Sequence, residues 1–65
     1  MNEDVEGLAF EVARAELDDV VRLLEDGGTT LEAALALWER GEVLHRRCAV
    51  LLTTAAERLE ASRGP

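Results

Sequence analysis

Residues 31–61 run without a proline and carry three heptad lines. Leu37, Leu44 and Leu51 recur every seven residues. Ala34, Gly41, Cys48 and Ala55 recur between them, and Trp38, His45, Leu52 and Leu59 run beside both. A seven-residue apolar repeat belongs to a helix that packs along its length against other helices. The segment therefore reads as one helix over about 31–61, roughly 45 Å long at 1.5 Å per residue. Large and small residues alternate along the seam. Gly41 is the costly member, since glycine in a helix interior loses about 1 kcal/mol against alanine. Its presence points to a bulky side chain or a second backbone in close approach.

A shorter pattern precedes it. Phe10, Ala13, Leu17, Val20 and Leu24 are spaced three, four, three and four, with Val21 widening the stripe. That spacing predicts a first helix over about 8–26 with one narrow apolar seam. Glu11, Arg14, Asp18, Arg22 and Glu25 fall mostly on the opposite side. They offer the pairs Glu11–Arg14, Asp18–Arg22 and Arg22–Glu25, each contributing about 0.2–0.5 kcal/mol. Between the two patterns lies Asp26-Gly27-Gly28-Thr29-Thr30. Gly27 or Gly28 can take the left-handed conformation that closes a helix. Thr29, with Glu32 three residues on, forms a potential capping box; Thr30 is an equally good cap without the reciprocal glutamate. So short a turn makes the helices antiparallel neighbours. The fold class is all-α: a coiled-coil-like, antiparallel two-helix hairpin with a short first helix and a longer second one. The whole chain, 1–65, reads as a single domain, with residues 1–7 frayed, a turn over 27–30 and a tail over 62–65.

Such a hairpin cannot cover itself. The three lines span well over 100° of the second helix, and one short seam does not shield a face that wide and long. Monomers rarely expose a large apolar strip, so assembly into a helical bundle is expected, with other copies, with a partner, or with both. Size argues the same way, because a 65-residue domain buries little of its surface on its own. Cys48 is the only cysteine, so no internal disulfide compensates. A lone thiol and an acidic N-terminus without an apolar core fit a cytoplasmic location. No apolar run reaches the roughly 18 residues of a membrane span.

Charge is unevenly placed. All of the net charge of −7 lies in residues 1–28, which hold nine acids and two arginines; residues 29–65 balance five of each. There is no lysine. An acidic half repels phosphate backbones, so direct nucleic-acid binding is not expected. Arg46 and Arg47, which are expected to point away from the seam, form with nearby Arg40 the only basic cluster; it reads as a set of surface ion-pairing groups or, alternatively, as a contact for an acidic partner surface.

No chemistry-bearing constellation stands out. Cys48 and His45 sit three residues apart, but no third group is placed to orient the histidine, and helix packing explains both. They make at most half of a tetrahedral zinc site. Asp18 and Asp19 diverge by about 100° on a helix and do not converge on a metal. Gly27-Gly28 lacks the spacing and the lysine of a phosphate loop. No catalytic residue, cofactor or metal is expected.

Several runs together resemble a known family. Phe10-Glu11, Ala15-Glu16-Leu17-Asp18-Asp19-Val20-Val21 and Leu24-Glu25-x-Gly27 look like the first helix of the exonuclease VII small subunit family. Leu31-Glu32-x-Ala34-Leu35-x-Leu37-Trp38-Glu39-Arg40-Gly41 is similar to the start of that family's second helix, where an aromatic residue is followed by Glu, a variable residue and Gly. Leu44, Arg47-Cys48, Leu52 and Ala56-Glu57-Arg58 continue the likeness, which covers about Leu8 to Leu59. The chain departs from the pattern at Thr29, at Ala33 and at Thr53-Thr54. The resemblance implies a non-catalytic subunit that binds the large subunit of exonuclease VII. The large subunit carries the nuclease and nucleic-acid-binding domains and degrades single-stranded DNA to acid-soluble oligonucleotides. The expected packing or assembly positions are Phe10, Leu17, Val20, Leu24, Leu37, Trp38, Gly41, Leu44, Cys48, Leu51 and Leu52. The contrasting expectation is a free-standing helical-hairpin adaptor or coiled-coil interaction protein unrelated to DNA degradation. The secretion-type hairpin with Trp-x-Gly in its turn fits less well, since Trp38 and Gly41 are separated by two residues within a helix.

Overall fold

The computed structural model describes residues 3–64. Two helices, α1 (Phe10–Asp26) and α2 (Leu31–Ser62), pack against each other, preceded by a 3-10 helix at Glu3–Gly7. No strand occurs among the described residues. The fold is the all-α hairpin that the two apolar periods require.

Each helix boundary has a local cause. α1 ends where Gly27 adopts φ 71°, a left-handed backbone that glycine takes without a Cβ clash. Its N–H then donates to the Leu24 carbonyl at 3.3 Å. α2 begins at Thr30, whose hydroxyl accepts from the Ala33 N–H at 3.1 Å. Of the two threonines, Thr30 is thus the cap, and Thr29 with Glu32 does not make the capping box. α1 starts at Phe10, two residues later than the pattern predicts, because Leu8 and Ala9 form the link to the 3-10 helix.

The core is a single cluster. Val5, Ala13, Val20, Leu44 and Cys48 are buried, and Leu8, Phe10, Leu17, Leu24, Leu37 and Val43 pack around them. Ala13 and Leu44 are completely covered. At Gly41 the helices come close: an added Cβ would lie 3.3 Å from Cγ1 of Val20 and 3.8 Å from Cδ1 of Leu17. The glycine is therefore the concession α2 makes to the side chains of α1.

Three expectations need correction. The pattern predicts fraying over residues 1–7, but Glu3–Gly7 is helical and Val5 is buried in the core; Met1 and Asn2 lie outside the described residues. Arg47 does not point away from the seam. It is half-buried, and its Nε donates to the Leu8 carbonyl at 2.9 Å, because a long, flexible stem can curl back over apolar surface. On α1, Arg14 pairs with Asp18 at 3.1 Å and Arg22 pairs with Asp19, rather than Glu11 with Arg14 or Arg22 with Asp18. Helix spacing allows a partner three or four residues away in either direction, and the rotamer selects one.

α2 overhangs its partner. Its 32 residues amount to about 48 Å, against about 25 Å for the 17 of α1. From Leu52 onward every described residue is exposed, so the last third of α2 has no tertiary cover.

Candidate interaction surface

The N-terminal segment fixes one flank of α2. Arg40 is the hub: its Nη2 donates to Oε1 of Glu16 at 2.9 Å and to Oδ2 of Asp4 at 3.0 Å, and its Nε also reaches Glu16. The Glu16 contact, then the Asp4 contact, push the Arg40 guanidinium further toward permanent protonation, against a smaller effect of burial. The same contact to Arg40 holds the Asp4 carboxyl below its ordinary value. With Arg47 bound to the Leu8 carbonyl, Arg40 and Arg47 are both engaged within the hairpin, while Arg46 is exposed. Val5, Glu6, Val43, Arg46, Arg47 and Val50 line an open groove of about 410 Å³.

The other flank is uncovered. Leu31 is 86% exposed, Trp38 56%, Leu52 56% and Leu59 67%. These residues are seven or fourteen apart, and exposed His45 lies midway. Leu35, one turn from Leu31, is exposed as well. Where Trp38 leans over the hairpin, it joins Leu17, Val20, Val21, Leu24, Gly41 and Glu42 around a shallow groove of about 170 Å³. Large apolar side chains lined up along nearly the whole of a helix form a surface that water disfavours.

The expected assembly positions divide between these environments. Val20, Leu44 and Cys48 are buried inside the hairpin, and Phe10, Leu17, Leu24 and Leu37 pack against them. Gly41 and Leu51 are half-buried. Only Trp38 and Leu52 face outward as large apolar groups. Sequence reasoning missed Leu31 as a continuation of their line, although it stands seven residues before Trp38. It also missed Val5, Asp4 and Leu8, which carry no periodic signal.

Cys48 is buried, whereas His45 is exposed, so the two do not form a shared site at the surface. Among the described residues no three His, Cys, Asp or Glu side chains come together as metal ligands, and no helix is long and apolar enough to cross a membrane.

Fold and surface together define an all-helical hairpin module whose apolar face is wider than its own two helices cover. The profile of the family described as "Exonuclease VII small subunit" matches residues 10–61. The exodeoxyribonuclease 7 small subunit of Arthrobacter sp. (strain FB24) is 55% identical over 62 residues, covering 95% of this chain and 82% of that protein. The protein of the same name from Leifsonia xyli subsp. xyli is 55% identical over 60 residues, covering 92% of this chain and 65% of its own length. That from Streptomyces avermitilis is 58% identical over 55 residues, covering 85% and 69%. No solved structure matches the chain. The chain belongs to the exonuclease VII small subunit family.

Proposed function

We propose that this chain binds the large, nuclease-bearing subunit of exonuclease VII and supports degradation of single-stranded DNA to oligonucleotides, supplying no catalytic group itself. The observation that carries the reading is the uncovered apolar strip on α2, from Leu31 to Leu59. A hairpin that leaves so much apolar surface in water gains free energy by covering it with another polypeptide, roughly 25 cal/mol per Å². Family membership identifies the class of complex. The acidic N-terminal half, with Arg40 and Arg47 of α2 engaged by Asp4, Glu16 and Leu8, disfavours a phosphate backbone as the direct ligand. Association with further copies, and residence in the cytoplasm, belong to the same reading.

The test is recovery of the partner. Tagged chain, expressed in its own cell, is expected to co-purify with a larger nuclease chain, and the isolated chain is expected to leave single-stranded DNA intact. Recovery of no such chain, or intrinsic cleavage by this chain, overturns the proposal.

A further inference from the structure

We infer that the uncovered strip of α2 is a self-complementary seam on which a second copy of this chain packs antiparallel, with His45 on the two-fold axis. The inference rests on the proposed assembly, in which further copies join the large subunit, and gives this strip to a second copy.

The sequence of exposed groups is close to a palindrome about His45. Leu31, Trp38, His45, Leu52 and Leu59 stand seven residues apart. Under a two-fold axis through His45, Leu31 faces Leu59 of the second copy, Trp38 faces its Leu52, and His45 faces itself. The four large apolar side chains of this line therefore meet one another in pairs, and each contact occurs twice, as in an isologous interface. A strict seven-residue repeat also keeps the seam in contact, because two such helices supercoil gently about each other. Exposed Ala49 and Ala56 lie on the same face and let the backbones approach.

The grooves and charges agree with this register. The hollow beside Trp38, floored by Val21 and Gly41, lies where Leu52 of the second copy inserts. Glu42 and Arg46 sit on the same edge of the strip. Antiparallel pairing brings each Glu42 to the level of Arg46 of the second copy, giving two identical ion pairs astride the axis. A parallel pairing instead puts this edge of the two copies on opposite sides of the seam, so Glu42 and Arg46 of the two copies do not meet. Glu32, Glu39 and Glu57 lie about 100° or more around the helix from Trp38, outside the contact. The strip is about 42 Å long and one helix diameter wide, so the two copies together bury roughly 900–1,000 Å², below the roughly 1,200 Å² of a stable specific interface and in the range of weak, reversible association.

The experiment is sedimentation and disulfide trapping of the full chain. Unmodified protein is expected to sediment as a dimer that dissociates on dilution. In a Cys48→Ala background, His45→Cys is expected to trap itself across the axis. Leu31→Cys is expected not to trap itself, but to trap mixed with Leu59→Cys. Glu42→Arg is expected to weaken dimerisation about tenfold, and adding Arg46→Glu is expected to restore it. A monomer at every concentration overturns the inference, as does efficient self-trapping of Leu31→Cys or a double variant no tighter than the single one. A monomeric chain that still recovers its nuclease partner defeats this inference and leaves the proposed function standing. A dimer that recovers no nuclease chain does the reverse.

Discussion

Arg40 on α2 grips Glu16 on α1 with two nitrogens, Nε on one carboxylate oxygen and Nη2 on the other at 2.9 Å. This is the forked geometry in which a guanidinium matches a carboxylate. The same side chain reaches Asp4, so one residue ties together all three elements of the hairpin.

Arg40→Ala is expected to lower the stability of the hairpin by about 1–2 kcal/mol, between the worth of an exposed ion pair and that of a charge-assisted bond in a half-buried setting. Arg14→Ala, which breaks only the exposed pair with Asp18, is expected to cost no more than about 0.5 kcal/mol. Urea denaturation followed by circular dichroism measures both.

The anchorage of the N-terminal segment is expected to depend on acidity. Asp4 is held below its ordinary value of 3.8 by its bond to Arg40. A carboxyl whose folded value is depressed binds fewer protons in the folded state. Its contribution is therefore fully present above the ordinary value and is lost as pH falls through the lower, folded one. Lowering pH from 5 through this window is expected to release Glu3–Gly7 while α1 and α2 persist. Nuclear magnetic resonance of the Val5 methyl groups reads the release, and Asp4→Asn removes the part of the pH dependence that Asp4 contributes.

Gly41 separates two opposing effects. Gly41→Ala gains about 1 kcal/mol of helix propensity but presses a methyl to 3.3 Å from Val20. The adjacent groove gives Val20 room to shift by a few tenths of an ångström, so thermal unfolding is expected to change by less than about 1 kcal/mol. Gly41→Leu has no such accommodation. It is expected to push the helices apart and cost about 1–3 kcal/mol.

The two threonines of the turn are expected to behave differently. Thr30→Ala removes the hydroxyl that accepts from Ala33 and is expected to cost about 0.5–2 kcal/mol. Thr29→Ala removes no cap and is expected to leave the unfolding midpoint within about 0.5 kcal/mol of the parent.

The hairpin was legible because its two helices announce themselves by period and its turn by adjacent glycines. Gly41 was legible as a point of close approach, and Val20 with Leu17 fills that place. The segment Glu3–Gly7 was not legible. Its order depends on one buried valine and on Asp4 meeting Arg40 across 36 positions of sequence, and no local pattern encodes such a meeting. Arg47 was misread for a related reason. Sequence fixes the direction of its Cα–Cβ bond, whereas its stem determines where the guanidinium ends, here at Leu8. The outward line was half legible: Trp38, Leu52 and Leu59 followed from the heptad, but Leu31, the first residue of the helix, was left out of that line.

Beyond Leu51 the second helix is held only by its own backbone hydrogen bonds, and a free-standing stretch of about eleven residues is marginal in water. Amide protons there are expected to exchange fastest, so stiffness declines steadily from the clamped middle of α2 toward Ser62. Whatever grasps that end must first still it, which spends part of the gain on ordering. The return is latitude: a pliant tip follows a curved or imperfectly placed neighbour that a rigid rod could not.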